Sequence, residues 1–301
     1  MATVLITGTG LIATHLAEKL TKKGYHVTFL SRSEDPSSPY QIFTWDIKKQ
    51  NIDAKAIATA DYIVHLAGSN IGEHRWTEER KKLIIHSRVD SASLLFSEIK
   101  KQKKDIKAFI SASGVGFYGA VTKEKIFSEN DIPATDFLGQ TCEKWEKSAT
   151  AFEKLGIRTV KIRTGVVLAK KDSVLDKMII PIKIGIGSAI GSGKQYMPWI
   201  HIDDICNIYI KAIEDINMQG AYNSTATDQK NNEEFMHSIA KVLKKPFWFP
   251  KVPSFTIRLL FGEMADILLK GSRVSNKKLL QSGFEFQFND LKKALEDLLL
   301  Q

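Results

Sequence analysis

Near its start the chain carries a short apolar run followed by two closely spaced glycines: Thr3-Val4-Leu5-Ile6-Thr7-Gly8-Thr9-Gly10-Leu11-Ile12-Ala13. The β-branched run predicts a buried strand, and the residues from Leu11 onward predict a helix. A G-x-G-x-x-A spacing that follows a strand and opens a helix is typical of a loop that binds the pyrophosphate of a dinucleotide. In that interpretation Gly8 allows the tight turn, Gly10 lets the pyrophosphate approach, and Ala13 packs the helix closely on the strand. The alternative is an ordinary turn in which the glycines serve geometry alone.

Six short apolar segments alternate with helix-period stretches through the first two thirds of the chain. The predicted strands cover residues 4–7, 27–30, 42–45, 62–66, 108–111 and 159–162, and the predicted helices cover residues 11–22, 77–99 and 137–154. This alternation is typical of a parallel sheet with helices on both faces. We therefore predict an α/β fold with a Rossmann-like, doubly wound parallel sheet.

The pattern changes from about residue 170, where a glycine-rich stretch is followed by predicted helices. These helices cover residues 203–214, 231–243, 254–269 and 290–300. We predict a dinucleotide-binding Rossmann domain over residues 1–168, to which a later strand from about residues 199–225 returns. Residues 169–301 are predicted to form mainly a smaller substrate lobe and a C-terminal helical domain.

The end of the second predicted strand indicates which dinucleotide is bound. It reads Phe29-Leu30-Ser31-Arg32-Ser33 and lacks the acidic residue that accepts the ribose 2′-hydroxyl of NAD. The Ser31 hydroxyl and the Arg32 guanidinium suit a 2′-phosphate, since arginine forms forked, charge-assisted hydrogen bonds to phosphate. We therefore expect NADP(H) rather than NAD(H) as the cofactor.

Three further segments are expected at the same site. The helix start Thr9-Gly10-Leu11-Ile12 offers free N–H groups and the positive end of the helix dipole to the phosphates. Asp46 closes the third strand and either faces the adenine or, equally well, caps its own loop. Leu66-Ala67-Gly68 ends the fourth strand, where small residues let a cofactor lie against the backbone.

The composition is that of an ordinary globular protein, with 43% hydrophobic and 26% charged residues, which argues against intrinsic disorder. The formal net charge is +9, from 43 Lys+Arg against 34 Asp+Glu, and much of the excess lies in short lysine clusters typical of solvated helix ends. The chain carries no recognisable nucleic-acid-binding module. We expect the positive field to attract an anionic cofactor or substrate rather than nucleic acid.

Cysteine usage and hydropathy indicate the setting of the protein. Two cysteines, Cys142 and Cys206, are too few for a disulfide framework or a four-ligand zinc site, so we expect no metal. The apolar stretch at residues 255–269 is interrupted by three charged residues and a glycine and does not predict a membrane span. The N-terminus shows no leader-like pattern, and we expect a cytoplasmic protein that has no membrane partner.

Several more segments follow one another in an order that is typical of a known family. They are Arg75-Trp76-Thr77-Glu78-Glu79-Arg80-Lys81, Ser87-Arg88, Ser111-Ala112-Ser113, Phe117-Tyr118-Gly119, Arg163-Thr164-Gly165-Val166-Val167-Leu168 and Gly191-Ser192-Gly193-Lys194-Gln195. With them the chain resembles the short-chain dehydrogenase/reductase superfamily, in its extended branch of sugar-nucleotide epimerases and dehydratases. The likeness covers about residues 3–299 and is strongest to an atypical group, the epimerase family proteins with a C-terminal domain of unknown function.

The resemblance implies a Rossmann-like fold and an NADP(H)-dependent oxidoreductase or epimerase that acts on a small carbonyl or sugar-like substrate. It also implies that Arg88 and Val166 lie beside the cofactor.

The chain departs from the superfamily in its catalytic pair. Typical members use Tyr-x-x-x-Lys, but none of the seven tyrosines here has a lysine four residues later. The pair would fall on Leu138 and Cys142; a leucine cannot transfer a proton, and a thiol cannot supply a fixed positive charge. Ser113 matches the superfamily's serine and is the candidate catalytic residue. Cys142 is interpreted as a small buried hydrophobe, with a reactive thiol as the alternative.

Arg75 and Trp76 are candidates for contacts on the substrate side. They precede a predicted helix with Thr77 as its N-cap and Arg80 at its third position, and the alternative is that this segment only starts the helix. His201 is a third candidate. The alternative for His201 is a structural role, with one of the two following aspartates as the N-cap of the next helix.

Two functions are compatible with these residues. The first is an NADP(H)-dependent enzyme whose proton donor lies outside the usual pair. The second is an NADP(H)-binding sensor or regulatory protein with little or no catalysis, which the missing Tyr-x-x-x-Lys pair favours. In both cases the expected partner is a small molecule, and the long helices predicted at residues 77–99 and 137–154 offer surfaces for pairing into a homodimer.

Overall fold

The structure of the chain is a computed structural model that describes residues 1–122 and 124–300. Gln301, at the end of the predicted C-terminal lobe, lies outside the described residues. The strands are β1 (Thr3–Thr7), β2 (His26–Ser31), β3 (Gln41–Asp46), β4 (Asn51–Ile52), β5 (Tyr62–His65), β6 (Ala108–Gly114), β7 (Ile126–Phe127), β8 (Arg158–Thr164), β9 (Val166–Leu168), β10 (Tyr196–Met197), β11 (Trp199–His201), β12 (Gly220–Ser224), β13 (Lys230–Asn231) and β14 (Arg273–Val274). The α-helices are α1 (Leu11–Lys22), α2 (Ala54–Thr59), α3 (Glu78–Gln102), α4 (Phe137–Thr150), α5 (Val174–Lys183), α6 (Ile202–Glu214), α7 (Asn232–Val242), α8 (Ser254–Phe261), α9 (Asp266–Leu269), α10 (Lys277–Gln281) and α11 (Leu291–Leu300), and short 3₁₀ turns cover Val115–Tyr118, Ala151–Leu155 and Gly262–Ala265.

One large sheet forms the centre of the structure, with the strand order β12-β8-β6-β5-β1-β2-β3-β4. Its neighbouring strands run parallel except for β3 and β4, which are antiparallel. The chain moves outward from β1 through β2 and β3 and then continues on the other side through β5, β6 and β8, so the order reverses between β1 and β5. Open α/β sheets bind ligands at this reversal, beyond the carboxyl ends of the strands. The predicted Rossmann-like α/β fold is confirmed.

Helices cover both faces of this sheet, as the alternation of segments predicts. On one face α1 and α6 pack together, and Leu16 and Ile205 are fully buried between them and the sheet. On the other face Leu95 of α3 packs against Phe109 and Phe152, whose rings stack with their centroids 3.7 Å apart. The buried strands therefore read as nearly continuous apolar runs.

A third core belongs to the C-terminal lobe. The helices α5, α7 and α11 enclose Phe235, Ile239 and Leu295, and Trp199 of β11 packs among them. The chain returns to the large sheet at β12, which pairs with β8, whereas β11 pairs with β9 outside that sheet. The division of the chain at residue 168 stays a prediction.

The prediction of one continuous helix over residues 254–269 is wrong, because the structure divides this segment into two helices. The first part, α8, ends at Phe261, and Gly262 takes a φ of +60°, a conformation that favours glycine. A 3₁₀ turn and then α9 follow. The apolar pattern continues through the break because Met264 and Ala265 are buried there, so hydropathy alone does not reveal it. No helix of the described residues combines the length and the apolar character needed to cross a membrane.

Candidate functional site

The loop between β1 and α1 needs glycine at Gly8. Its φ is +81°, and a Cβ atom on Gly8 would lie 3.4 Å from the Cα of Ala67 on the neighbouring strand end. The N–H of Gly8 donates to the carbonyl of Leu30 at 2.9 Å, which ties the loop to β2. Gly10 is the N-cap of α1, and no side chain caps that helix. The N–H groups of its first turn are therefore available to an anion.

Three buried polar side chains, Thr7, His65 and Ser91, hold the ends of β1 and β5 together. Thr7 Oγ1 accepts the N–H groups of Leu66 and Ala67, each at 3.1 Å, so its own proton goes to His65 Nδ1 at 2.8 Å. His65 Nε2 then carries the remaining proton, 3.2 Å from Ser91 Oγ. Burial lowers the pKa of His65 to about 4, so the ring is neutral at pH 7. The sequence motifs did not indicate this cluster. The feature of the sequence that could have revealed it is a polar residue, Thr7 or His65, at the end of an apolar strand.

A groove of about 390 Å³ runs along the carboxyl ends of β1, β2, β3 and β5. The predicted cofactor residues in its wall are Gly8, Thr9, Gly10, Ser31, Arg32, Leu66, Ala67 and Gly68. Leu11 and Ile12, also predicted to bind the cofactor, pack against the core that contains Leu16 and Ile205 and are not part of the groove wall. The guanidinium of Arg32 forms no ion pair with a carboxylate of the described residues. It is available to an anionic ligand.

Asp46 makes local hydrogen bonds at the edge of this groove. Its carboxylate accepts the N–H groups of Lys48 and Lys49, at 2.9 and 3.0 Å. Trp45 and Ile47, its neighbours in sequence, line the groove. The loop cap, one of the two alternatives for Asp46, is therefore formed, and its contact with an adenine stays a prediction.

Arg88 lies directly behind Gly68, inside the protein. A Cβ atom on Gly68 would be 3.0 Å from the guanidinium carbon, so a side chain at this position would crowd the arginine from the groove side. The guanidinium lies 4.7 Å from the ring centroid of Trp145 and donates to the carbonyl of Ile84 at 2.8 Å. Burial lowers the pKa of Arg88 to about 10, and its Nε has no hydrogen-bond partner among the described residues. Its role beside a cofactor stays a prediction.

A second cavity, of about 190 Å³, lies beyond the ends of β6 and β8. One wall comes from the turn after β6 and from the start of α4, and the others come from α5, β10 and residues 267–272 after the helix break. Val166, which was predicted to contact the cofactor, lies in the wall of this cavity, as does Leu138. The two spaces lie at the same edge of the sheet, on opposite sides of β5.

The positions of the usual catalytic pair are filled by one half-buried leucine in the cavity wall and one buried thiol. Leu138 lies in the cavity wall, whereas Cys142 is buried one helical turn further along α4. Burial raises the pKa of Cys142 to about 12. Its thiol is therefore protonated at neutral pH, which is the behaviour of a small buried hydrophobe.

The hydroxyl of Ser113 is engaged with a buried ion pair. It donates to Glu146 Oε1 at 2.7 Å, and the same carboxylate accepts two hydrogen bonds from the guanidinium of Arg163, at 2.7 and 2.9 Å. Arg163 also donates to the hydroxyl of Tyr118 at 2.8 Å. Ser113 is 4% exposed and is absent from the wall of the cavity. Its catalytic role stays a prediction, and the structure gives this hydroxyl a different partner.

Arg75 and Trp76 form hydrogen bonds within the protein and line neither the groove nor the second cavity. The guanidinium of Arg75 donates to the carbonyl of Leu259 on α8, and Trp76 Nε1 donates to the carbonyl of Ile71 at 3.0 Å. Thr77 caps α3 by accepting the N–H of Arg80 at 3.1 Å, as predicted. This segment therefore starts the helix and joins it to the C-terminal lobe, while its contact with a substrate stays a prediction.

His201 has a structural position at the start of α6. It is 1% exposed, and its Nδ1 accepts the N–H of Asp203 at 3.1 Å, so the imidazole itself is the N-cap. The prediction that Asp203 or Asp204 caps this helix is wrong. Asp204 is instead buried and accepts the N–H groups of Gln287 and Phe288, at 2.8 and 2.9 Å. Histidine is the cap because α6 begins at Ile202, which places Asp203 and Asp204 inside the first turn of the helix.

Comparison with known families gives two matches that together cover most of the chain. Residues 4–224 match the NAD dependent epimerase/dehydratase family, and residues 252–298 match a domain of unknown function, DUF1731. The boundary between the matches falls after β12, the last strand of the large sheet.

Three similar proteins illustrate the likeness. Epimerase family protein YfhF from Bacillus subtilis is 37% identical over 295 residues, which is 97% of this chain and 96% of the relative. The crystal structure of human epimerase family protein SDR39U1 with NADPH has a TM-score of 0.88 and 31% identity, and the match covers 98% of each chain. A nucleoside-diphosphate sugar epimerase from Corynebacterium glutamicum has a TM-score of 0.81 and 28% identity, over 99% of this chain and 58% of that one.

Proposed function

Because the chain belongs to the NAD dependent epimerase/dehydratase family, we propose that it binds NADP(H) and acts as an oxidoreductase or epimerase on a small carbonyl or sugar-like substrate. The family resemblance predicted from the motifs, including the C-terminal domain of unknown function, is confirmed by the two matches. The observation that carries the proposal is the groove at the reversal of the sheet, whose wall contains both the Gly8 loop and Arg32, a side chain that forms no ion pair among the described residues.

The residues of this groove fit a phosphorylated dinucleotide. The first turn of α1 would bind the pyrophosphate through its uncapped N–H groups. Ser31 and Arg32 would bind a 2′-phosphate, since a free guanidinium suits phosphate better than a ribose hydroxyl. Gly68, which leaves no side chain between the groove and Arg88, allows close approach to the backbone. Bound there, the nicotinamide would supply a hydride donor or acceptor.

The proton of the reaction requires a donor other than Leu138. Ser113 already donates to Glu146, and the Cys142 thiol is buried. Tyr196 contributes to the cavity wall, and its hydroxyl makes no hydrogen bond to another described residue. In this proposal Tyr196 holds the substrate oxygen and exchanges the proton with it.

A specific observation favours the second function, an NADP(H)-binding sensor with little catalysis. Leu138 and Cys142 stand where the superfamily has its proton donor and its fixed positive charge, and burial raises the pKa of this thiol to about 12. A protein of this kind would keep the groove and lose turnover. The cytoplasmic location and the homodimer expected from the sequence stay predictions.

Turnover separates the two functions. The full chain is incubated with NADPH and a panel of carbonyl compounds, and the loss of nicotinamide absorbance is followed for the wild type and for Tyr196→Phe. The enzyme proposal predicts turnover that falls by about 10²-fold or more in Tyr196→Phe, the usual contribution of a general acid. Saturable NADPH binding with no turnover across the panel would instead favour the sensor.

A further inference from the structure

We propose that the cavity beyond β6 and β8 binds a compact, uncharged and mainly apolar carbonyl compound about the size of one six-membered ring, and not a nucleoside diphosphate sugar. This inference rests on the proposed function for its reaction, but the choice of ligand is argued from the cavity itself. It concerns the residues that line about 190 Å³ of space between the large sheet and the C-terminal lobe.

The size of the cavity favours a single ring. An engineered apolar cavity of about 150 Å³ holds benzene, and pockets for larger ligands usually exceed about 300 Å³. The space here, about 190 Å³, lies between these values. A nucleoside diphosphate sugar carries a base, two phosphates and two sugar rings, which is several times more than this space holds.

The wall of the cavity is mostly aliphatic. Side chains of leucine, valine, methionine and isoleucine come from α4, α5, β9, β10 and α9. They include Leu138, Val166, Val174, Met178, Met197 and Ile267. Apolar walls of this kind bind apolar surface, because each square ångström removed from water contributes about 25 cal/mol.

The polar side chains in the wall are already hydrogen-bonded within the protein. Gln195 Nε2 donates to the carbonyls of Ile190 and Leu268, at 2.9 and 2.8 Å. Asn232 Oδ1 accepts the N–H of Ile190 at 2.8 Å, and Ser272 Oγ donates to two backbone carbonyls, each at 3.1 Å. A sugar with several hydroxyls would find few free partners here, and burying unpaired hydroxyls is costly.

The charges in the wall do not suit a diphosphate. Lys270 is the one cation among the described residues that line the cavity, and its Nζ lies 3.0 Å from a carboxylate oxygen of Asp266. The buried guanidinium of Arg163 forms two hydrogen bonds to Glu146 and is absent from the wall. Among the polar side chains that the described residues contribute to the wall, only Tyr196 forms no hydrogen bond, which suits a ligand with one oxygen.

Direct binding tests this inference without requiring turnover. Cyclohexanone, benzaldehyde and UDP-glucose are each titrated into the full chain, with and without saturating NADP⁺, and binding is followed by protein NMR and calorimetry. We expect saturable binding of the two ring carbonyls and none of UDP-glucose over the same concentration range. UDP-glucose that binds and displaces cyclohexanone would overturn the inference, as would the failure of both ring carbonyls to bind.

A pair of variants on one helix locates the binding. Met178→Trp adds bulk to the cavity wall and should weaken binding of the ring carbonyls by at least about tenfold. Ile180→Trp, two residues along α5 and 60% exposed, lies outside the wall and should change it less than about twofold. Equal effects of the two variants would contradict the placement.

The NADP⁺ titration in the same samples separates the two proposals. If NADP⁺ does not bind while Met178→Trp still abolishes binding of the carbonyls, the cavity assignment stands and the proposed function falls. If NADP⁺ binds and the ring carbonyls do not, the proposed cofactor stands and the cavity assignment falls.

Discussion

Glu146→Gln should destabilise the protein by about 3 kcal/mol or more, because removing one partner of a buried ion pair leaves the other charge without compensation. The side chains of Arg163 and Glu146 are only 5% and 10% exposed, so water screens neither charge well. The glutamine keeps the shape of the side chain and can still contact Ser113, which confines the change to the charge. A total stability of about 5–15 kcal/mol would then be reduced by a large fraction.

Urea unfolding followed by circular dichroism measures this loss, and a pair on the same helix provides the control. Lys147 lies 2.7 Å from Glu143, but the side chains are 71% and 35% exposed. Glu143→Gln should therefore cost less than about 0.5 kcal/mol. A double variant that replaces both charges, Glu146→Leu with Arg163→Met, should recover much of the loss. Equal losses for Glu146→Gln and Glu143→Gln would refute the reasoning.

Three further predictions concern the site and its surroundings. Burial lowers the pKa of His65 from 6.5 to about 4, so the unfolded chain takes up the proton first as the pH falls. The free energy of unfolding should therefore decrease by up to about 3 kcal/mol between pH 6.5 and pH 4. Urea unfolding of His65→Gln should lack this part of the pH dependence, and a pH profile equal to that of the wild type would contradict the prediction. Burial raises the pKa of both Cys142 and Cys206 to about 12. Iodoacetamide at pH 8 should therefore label the unfolded chain and leave the native chain unlabelled over the same time. Rapid labelling of the native chain, detected by mass spectrometry, would contradict this prediction. Gly8→Ala places a side chain at a φ of +81° and should weaken NADPH binding by at least about tenfold in calorimetry. The control is Gly24→Ala, at a φ of +87° far from the groove. It should lower the free energy of unfolding by a similar amount and leave the affinity for NADPH unchanged.

Local patterns were sufficient to predict much of the fold. The strand, the two glycines and the helix at the N-terminus fall where the spacing places them, and α1 covers Leu11–Lys22 as predicted. Thr77 caps α3 because both the cap and its partner Arg80 lie within one helical turn. These features depend on neighbours in sequence, which a single chain displays directly.

Contacts between distant segments could not be predicted in this way. The hydroxyl of Ser113 reaches Glu146, 33 residues away, and nothing in either segment indicates the other. Asp204 accepts the backbone N–H groups of Gln287 and Phe288, more than 80 residues later in the chain, which no local pattern indicates. Val166 follows β8 and lies at the cavity rather than in the groove, which depends on how the C-terminal lobe closes over the sheet.

Calorimetric titration of the full chain with NADPH and with NADH tests the central claim most directly. The account predicts that NADPH binds at least about tenfold more tightly than NADH, the contribution of a charge-assisted contact to the 2′-phosphate. Arg32→Asp should reverse this preference, and Lys22→Asp, with the same change of charge at the far end of α1, should preserve it. No heat with NADPH, or equal dissociation constants for the two cofactors, would contradict the account.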